Sequence, residues 1–152
     1  MVHVVRSITV GRPLDAVVAY LADFSNAVEW DPGTRVCERA DPGPVYEGAH
    51  WHNVSEIRGH RTELTYRLAR MEPDRLTFVG CNETATSTDD LTFEARGGGT
   101  RVVYDARVRF NGLAKLADAF LRREFDRLGD AVVRTMPAAV EAAIPLDGAP
   151  RG

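Results

Sequence analysis

Between residues 34 and 110 apolar and polar side chains alternate with a period of two, in segments 34–40, 49–57, 61–71, 75–82, 85–94 and 100–110. The breaks between them are "DPGP", "RG", "EPD", the Asn82–Glu83 step and "RGGG". Alternation bounded by turn residues predicts antiparallel strands joined as hairpins, because successive side chains of a strand point to opposite faces. A β-branched stretch, Val2 to Val10, adds a seventh strand and ends at the breaker "GRP". After it the period lengthens. "PLDAVVAYLADF" sets Val17, Tyr20, Leu21 and Phe24 at helical spacing, with Pro13 suited to the first turn and Asp15 near the positive end of the helix dipole. A second short helix is predicted over "SNAVEW", with Ser25 as its cap and "DPG" as its stop.

The longest helical pattern runs from residue 113 to about 143. Successive residues placed about 100° apart gather Leu113, Ala117, Phe120, Leu121, Leu128, Val132 and Ala139 on one side. Arg122, Arg123, Asp126, Asp130 and Arg134 fall opposite, so the helix has one face to bury and spans about 45 Å. Pro137 cannot donate to Val133, which predicts a kink or break there. A run of hairpins has one dry face, and only this helix is large enough to cover it, so the sheet must curl around the helix.

The hairpin "WHNVSEIRGHRTELTYRL", residues 51–68, shows what that dry face carries. With Gly59–His60 as its two-residue turn, Trp51 opposes Leu68, Asn53 opposes Tyr66, Ser55 opposes Leu64 and Ile57 opposes Thr62, all facing inward. His50, His52, Val54, Glu56, Glu63, Thr65 and Arg67 make the solvent face. In the last hairpin, with Gly97–Gly98 as the turn, Phe93 pairs with Val102, Leu91 with Tyr104 and Asp89 with Ala106, again inward. Trp51, Asn53, Ser55, Tyr66, Asp89 and Tyr104 make this surface too polar for a dry core. Each such group costs about 2 kcal/mol or more if buried unpaired, so the pattern implies a cavity that holds water or a ligand.

The 152 residues suit one domain, residues 1–144, able to remove roughly 70% of its unfolded surface from water. The remainder, "PLDGAPRG" at 145–152, has too little apolar content to order itself and reads as a flexible tail. With 19 basic and 22 acidic residues intermixed, the net charge of -3 offers no footprint for nucleic acid or an anionic membrane. The N-terminus lacks a signal-peptide pattern, and no apolar stretch approaches the roughly 18 residues of a membrane span, so a cytoplasmic protein without integral membrane association is expected. Cys37 and Cys81 match no metal spacing and read as reduced thiols packed as small hydrophobes. A homodimer is left open.

Catalytic templates mostly fail. Ser7, Ser25, Ser55 and Ser87 lack a nucleophile elbow, neither cysteine has a neighbouring histidine, and the glycines at 97–99 precede neither a helix nor Lys-Ser/Thr, so they form a turn. The His50–His52 pair shares a strand face with Arg67 and Ala69 opposite, which supplies too few ligands for a metal. No cofactor is called for. Trp30 reads as a plug seating the short helices on the sheet. Glu124 lies on the apolar arc between Phe120 and Leu128; it either reaches the cavity or pairs at its edge with Arg127 or Arg123. Glu124 and Asp89, assisted by Tyr66, are the only acid–base pair that can be drawn.

"PLDAVVAYLADFSNAVEWDPG", the "YRLARMEPDRL" hairpin and "GGGTRVVYDARVRFNG" before a long terminal helix resemble the polyketide cyclase/dehydrase-like members of the Bet v 1/START (SRPBCC) superfamily, over residues 3 to 142. The resemblance implies an α+β helix-grip fold: a seven-stranded curved antiparallel sheet around a long C-terminal helix, with two short helices after strand 1. It also implies a hydrophobic cavity of the kind relatives use for lipids, sterols, aromatic polyketides or plant hormones. Aromatase/cyclase relatives present inward arginine and aromatic side chains. Here the inward residues are Leu64, Tyr66 and Leu68, while Arg67 points out.

The expected function is binding of a small hydrophobic molecule. Trp51, Leu68, Leu91, Phe120 and Leu128 would form the apolar wall, and Asn53, Tyr66, Tyr104, Asp89 and Glu124 would orient the guest. The alternatives are a cyclase or dehydratase using Glu124 or Asp89, and a protein-interaction module with a collapsed pocket.

Overall fold

The computed structural model describes residues 1–146, and most of the expected 145–152 tail lies outside the described residues. Strand β1 (Val2–Val10) leads into helix α1 (Leu14–Ala22), a 3-10 turn (Phe24–Asn26) and helix α2 (Ala27–Trp30). Six strands follow: β2 (Thr34–Arg39), β3 (His50–Ile57), β4 (His60–Glu72), β5 (Arg75–Cys81), β6 (Ala85–Arg96) and β7 (Gly99–Phe110). A second 3-10 turn (Gly112–Leu116) opens into helix α3 (Ala117–Ala143). The sheet order is β1-β7-β6-β5-β4-β3-β2 and every pairing is antiparallel, as the hairpin pattern requires. Register shifts at Thr34/Val36 and Leu68/Arg70 mark bulges, which bend strands and help the sheet curl.

The last hairpin has the expected register, Phe93 to Val102 and Asp89 to Ala106, with Gly97 and Gly98 at φ 53° and 84°. The central hairpin differs. Its turn residues are Arg58 and Gly59 at φ 53° and 80°, not Gly59 and His60, so Trp51 opposes Tyr66 and Asn53 opposes Leu64. Glycine takes the second of the two left-handed positions, and Arg58 accepts the first. The slip is two residues in the pairing sum, so every side chain keeps its expected face.

Two covers close the concave side. The first is aromatic. Phe24, from the 3-10 turn, stacks on Phe78 at 4.4 Å between ring centroids and meets Tyr66 at 4.7 Å. It also makes edge contacts with Trp30 and Trp51, each at 6.1 Å. Ser25 does not cap α2: it lies within the 3-10 turn, the Asp23 carboxylate accepts from its N–H, and its hydroxyl receives the Trp51 indole N–H at 3.1 Å. The second cover is the C-terminal half of α3, where Val132, Met136 and Val140 are buried. The Thr135 hydroxyl ties this half to α2 by donating to the Trp30 carbonyl at 2.6 Å. Arg12 donates to the carbonyls of Ile144 and Glu141 at 2.6 and 3.0 Å, satisfying acceptors at the negative end of α3.

Of the expected kink or break at Pro137, no break occurs: the helix runs through it, with Met136 and Val140 buried in the core on either side. The N-terminal part behaves differently from its apolar pattern. Leu113, in the 3-10 turn, is 88% exposed and Phe120, in the first turn of α3, is 66% exposed, so the apolar stripe is not buried that far toward the N-terminus. Cys81 is exposed, contrary to its expected packing, while Cys37 is buried.

Gly80 on β5 opposes Tyr66 on β4, and a Cβ at that position would sit 2.6 Å from the Tyr66 ring. The ring therefore lies flat across the bare backbone. Gly80→Ala is expected to displace it and cost about 1–3 kcal/mol, read as a lower urea midpoint with an unchanged slope.

Candidate functional site

Where α3 stands away from the sheet it leaves a cavity of about 400 Å³. Its sheet-side wall draws on β1, β3, β4, β6 and β7, which contribute among others Val4, Ile57, Leu64, Ala85, Ala106 and Val108. Its helix-side wall includes Leu121, Phe125, Leu128 and Val132. Gly129 brings α3 against β1, since a Cβ there would stand 2.5 Å from Val4 Cγ1. That close approach closes one end of the space. At the other, the exposed residues His60, Thr84 and Phe120 form the rim. Arg58, in the neighbouring turn, holds its guanidinium 4.7 Å over the Phe120 ring.

The inner part of the wall is polar. Asp31, Ser55, Tyr66, Ser87, Asp89 and Tyr104 all border the cavity. Asp31 follows α2 directly, and its carboxylate accepts the Gly33 N–H at 3.0 Å and the Thr34 hydroxyl at 2.9 Å. Burial raises its pKa, against the pull of those two hydrogen bonds and of Arg35. Asp89 is only 5% exposed, and its one side-chain hydrogen bond is a long one from the Tyr104 hydroxyl at 3.4 Å. Its pKa is pushed up to about 7, first by burial and then by the charge of Asp31, with the Tyr104 bond pulling the other way. Tyr66 and Tyr104 are both held well above the ordinary phenol value, chiefly by burial and secondarily by Asp89. The cavity thus joins apolar walls to a polar group in which Tyr104 donates to Asp89, while the charge of Asp31 acts on Asp89 and that of Asp89 on Tyr66.

The expected site residues divide. Tyr66, Tyr104, Asp89, Phe120 and Leu128 border the cavity. Trp51, Leu68 and Leu91 are concave-facing as expected but lie in the core without bordering the cavity, each with no exposed surface. Trp51 is walled off because Phe24 and Phe78 pack against it. Asn53 is likewise buried behind the wall, where it accepts the Ser55 hydroxyl at 2.7 Å. Glu124 does not join Asp89. It stands outside the cavity wall, 3.5 Å from Arg127 and 4.0 Å from Arg58, so the edge pairing holds and the drawn acid–base pair does not form. The carboxyl that does accompany Asp89 is Asp31, which sequence reasoning took only as part of a helix stop. Trp30 is the buried plug it was expected to be, in edge contact with Tyr104 at 6.0 Å.

This arrangement of sheet, helix and enclosed space is matched in sequence. The model of the family described as polyketide cyclase/dehydrase and lipid transport matches residues 1–141. The chain belongs to that family. Solved structures share the fold of this polyketide cyclase/dehydrase family chain. The Zhui aromatase/cyclase from Streptomyces sp. R1128 superposes with a TM-score of 0.79 at 16% identity, covering 97% of this chain and 98% of its own. A START superfamily protein from Mycobacterium smegmatis gives 0.76 at 12% identity, with 93% and 98% covered. The protein TTHA0849 from Thermus thermophilus gives 0.71 at 16%, with 93% and 97% covered. No curated protein matches the sequence. Among the described residues, no helix is long and apolar enough to cross a membrane.

The carboxyl of Asp89 sets a pH dependence for this polyketide cyclase/dehydrase family chain. Below its ordinary value of 3.8 both folded and unfolded chains carry the proton; between there and about 7 only the folded chain does. Folded-state stability from this group therefore falls as pH rises through that window and stays low above it. Asp89→Asn removes the penalty. It is expected to stabilise the protein at pH 8 by at most roughly 4 kcal/mol and to change little at pH 4, measured by urea denaturation at both values.

Proposed function

We propose that this chain binds a small, mostly apolar molecule, with its apolar body between the concave face of the sheet and the first half of α3 and its polar end toward Asp89 and Tyr104. The observation that carries this reading is the cavity of about 400 Å³, which falls in the size range of small-molecule sites and joins apolar walls to a few convergent polar groups. Membership of a family described by polyketide cyclisation and lipid transport supports the same class of guest. Phe120, Leu128, Tyr66 and Tyr104 are the expected residues best placed to touch it.

A second reading, an enzyme of the cyclase or dehydratase type, is favoured by one feature. Asp89 is a buried carboxyl at the cavity wall whose proton is exchangeable near neutral pH. The binding reading needs no such exchange.

Native mass spectrometry of protein purified from its own host is expected to show a bound small molecule. Ala106→Phe, which places a ring in the cavity, is expected to abolish that mass and to weaken the neutral dye Nile red at least tenfold while the protein stays folded. Dye binding unaffected by Ala106→Phe would remove the cavity from the account. Conversion of an aromatic polyketide-like substrate that Asp89→Asn abolishes, with Nile red binding retained, would replace the binding reading with the enzyme.

A further inference from the structure

The inner end of the cavity carries charge with nothing on the wall to balance it. Among the described residues that border the cavity, Asp31 and Asp89 are the acids, and the only basic side chain is His60, at the exposed rim. Arg35 acts on Asp31 but is itself exposed on β2. Asp31 has two good hydrogen bonds within its own turn. Asp89 has a single long one, from Tyr104. A carboxylate so enclosed and so poorly supplied with donors is costly when ionised, and the nearby Asp31 charge adds to that cost. The groups that interact with Asp89 are Asp31 after α2, Tyr66 on β4 and Tyr104 on β7, and the α3 side chains that border the cavity carry no charge.

Three kinds of occupant are chemically distinct here. A water molecule or a hydroxyl supplies a donor to Asp89 and leaves the repulsion between the two carboxyls in place. An anionic head, such as a fatty-acid carboxylate, adds a third negative charge and is excluded unless it brings protons with it. An ammonium supplies donors and offsets both charges together, and in a low-dielectric end wall that difference is large. We infer that the preferred guest is an amine: an apolar, ring-sized body lying along Val4, Ala106, Leu121 and Phe125, with a protonated amino group directed at Asp89 and Asp31. This inference rests on the cavity-binding reading above and narrows it to a ligand class.

The test uses three probes of one shape and different charge: 2-naphthylmethylamine, 2-naphthalenemethanol and 2-naphthoic acid, titrated calorimetrically into the full-length protein. At pH 8 the amine is expected to bind at least tenfold tighter than the alcohol, and the acid more weakly than either. At pH 6 the amine's advantage is expected to shrink about tenfold, because Asp89 then takes up its proton. Asp89→Asn is expected to reduce the preference for amine over alcohol to less than threefold, with an unchanged circular dichroism spectrum showing that the variant is folded. Asp31→Asn is expected to weaken the amine in the same direction. Equal affinities for amine and alcohol in the unaltered protein, tighter binding of the acid, or an amine preference that survives both substitutions would overturn the inference and leave the cavity reading in place. Failure of all three probes and of Nile red would overturn both.

Discussion

A curled sheet exposes more concave surface than one helix can cover, and the position of Phe24 decides which part is covered twice. Its ring is the hub for Trp30, Trp51, Tyr66 and Phe78, so side chains from α2, β3, β4 and β5 meet on one residue of a three-residue turn. Aromatic contacts of this kind contribute about 0.5–1.5 kcal/mol each beyond the area they remove from water. With that end filled, α3 need seal only its C-terminal half, through Val132, Met136 and Val140. Its first turns are released from packing duty, and the cavity is the space they leave.

The same division separates stability from function. The aromatic end holds indole and phenyl rings in mutual contact, with the Trp51 indole N–H satisfied by Ser25. The cavity end keeps an ionisable group in a place where ionisation is unfavourable, and keeps it beside a second one. Such a group lowers stability wherever it is charged, so it persists only if the rest of the core offsets the loss. Here the offset lies in the neighbouring cluster. Tyr66 spans the two regions, with its ring against Phe24 and over Gly80, while the same residue borders the cavity.

Most of the fold was legible because its signals are local. Period-two runs mark the strands, and Gly97–Gly98 can only be a turn, so the β6–β7 register followed directly. "RGHR" allows two turns that differ by a single step, and the choice depends on whether arginine or histidine accepts a left-handed backbone. Face assignments survived that ambiguity because a slip of two in the pairing sum preserves parity. Parity does not tell which stretch of the concave face lies beneath the short helices and which beneath the start of α3. For that reason the pattern puts Trp51, Leu68 and Leu91 on a wall they do not form, and Tyr66, Tyr104 and Asp89 beside the space they do border. Asp31 carries no sequence signal of the cavity, because an aspartate before Pro-Gly is fully explained as a helix stop. The helix pattern erred at Leu113 and Phe120 for a related reason, since a periodic apolar stripe shows that a helix has a face to bury, not that the partner surface extends that far.

Binding and proton transfer make the same first demand on this cavity, and they diverge at Asp89. An occupant that offers a donor stabilises the carboxylate, lowers its pKa and leaves it ionised as a hydrogen-bond acceptor. An occupant that offers only an acceptor, such as a ketone oxygen, favours the protonated acid, which then donates. With a pKa of about 7, neither response requires a large shift in protonation near neutral pH. The carboxyl therefore adjusts to the guest, while Asp31, anchored by Gly33 and Thr34, supplies a fixed acceptor beside it. A second carboxyl held so firmly disfavours the ionised form of the first unless the guest carries positive charge. Asp31 consequently biases which of the two responses prevails, although both of its own hydrogen bonds lie within the turn that follows α2.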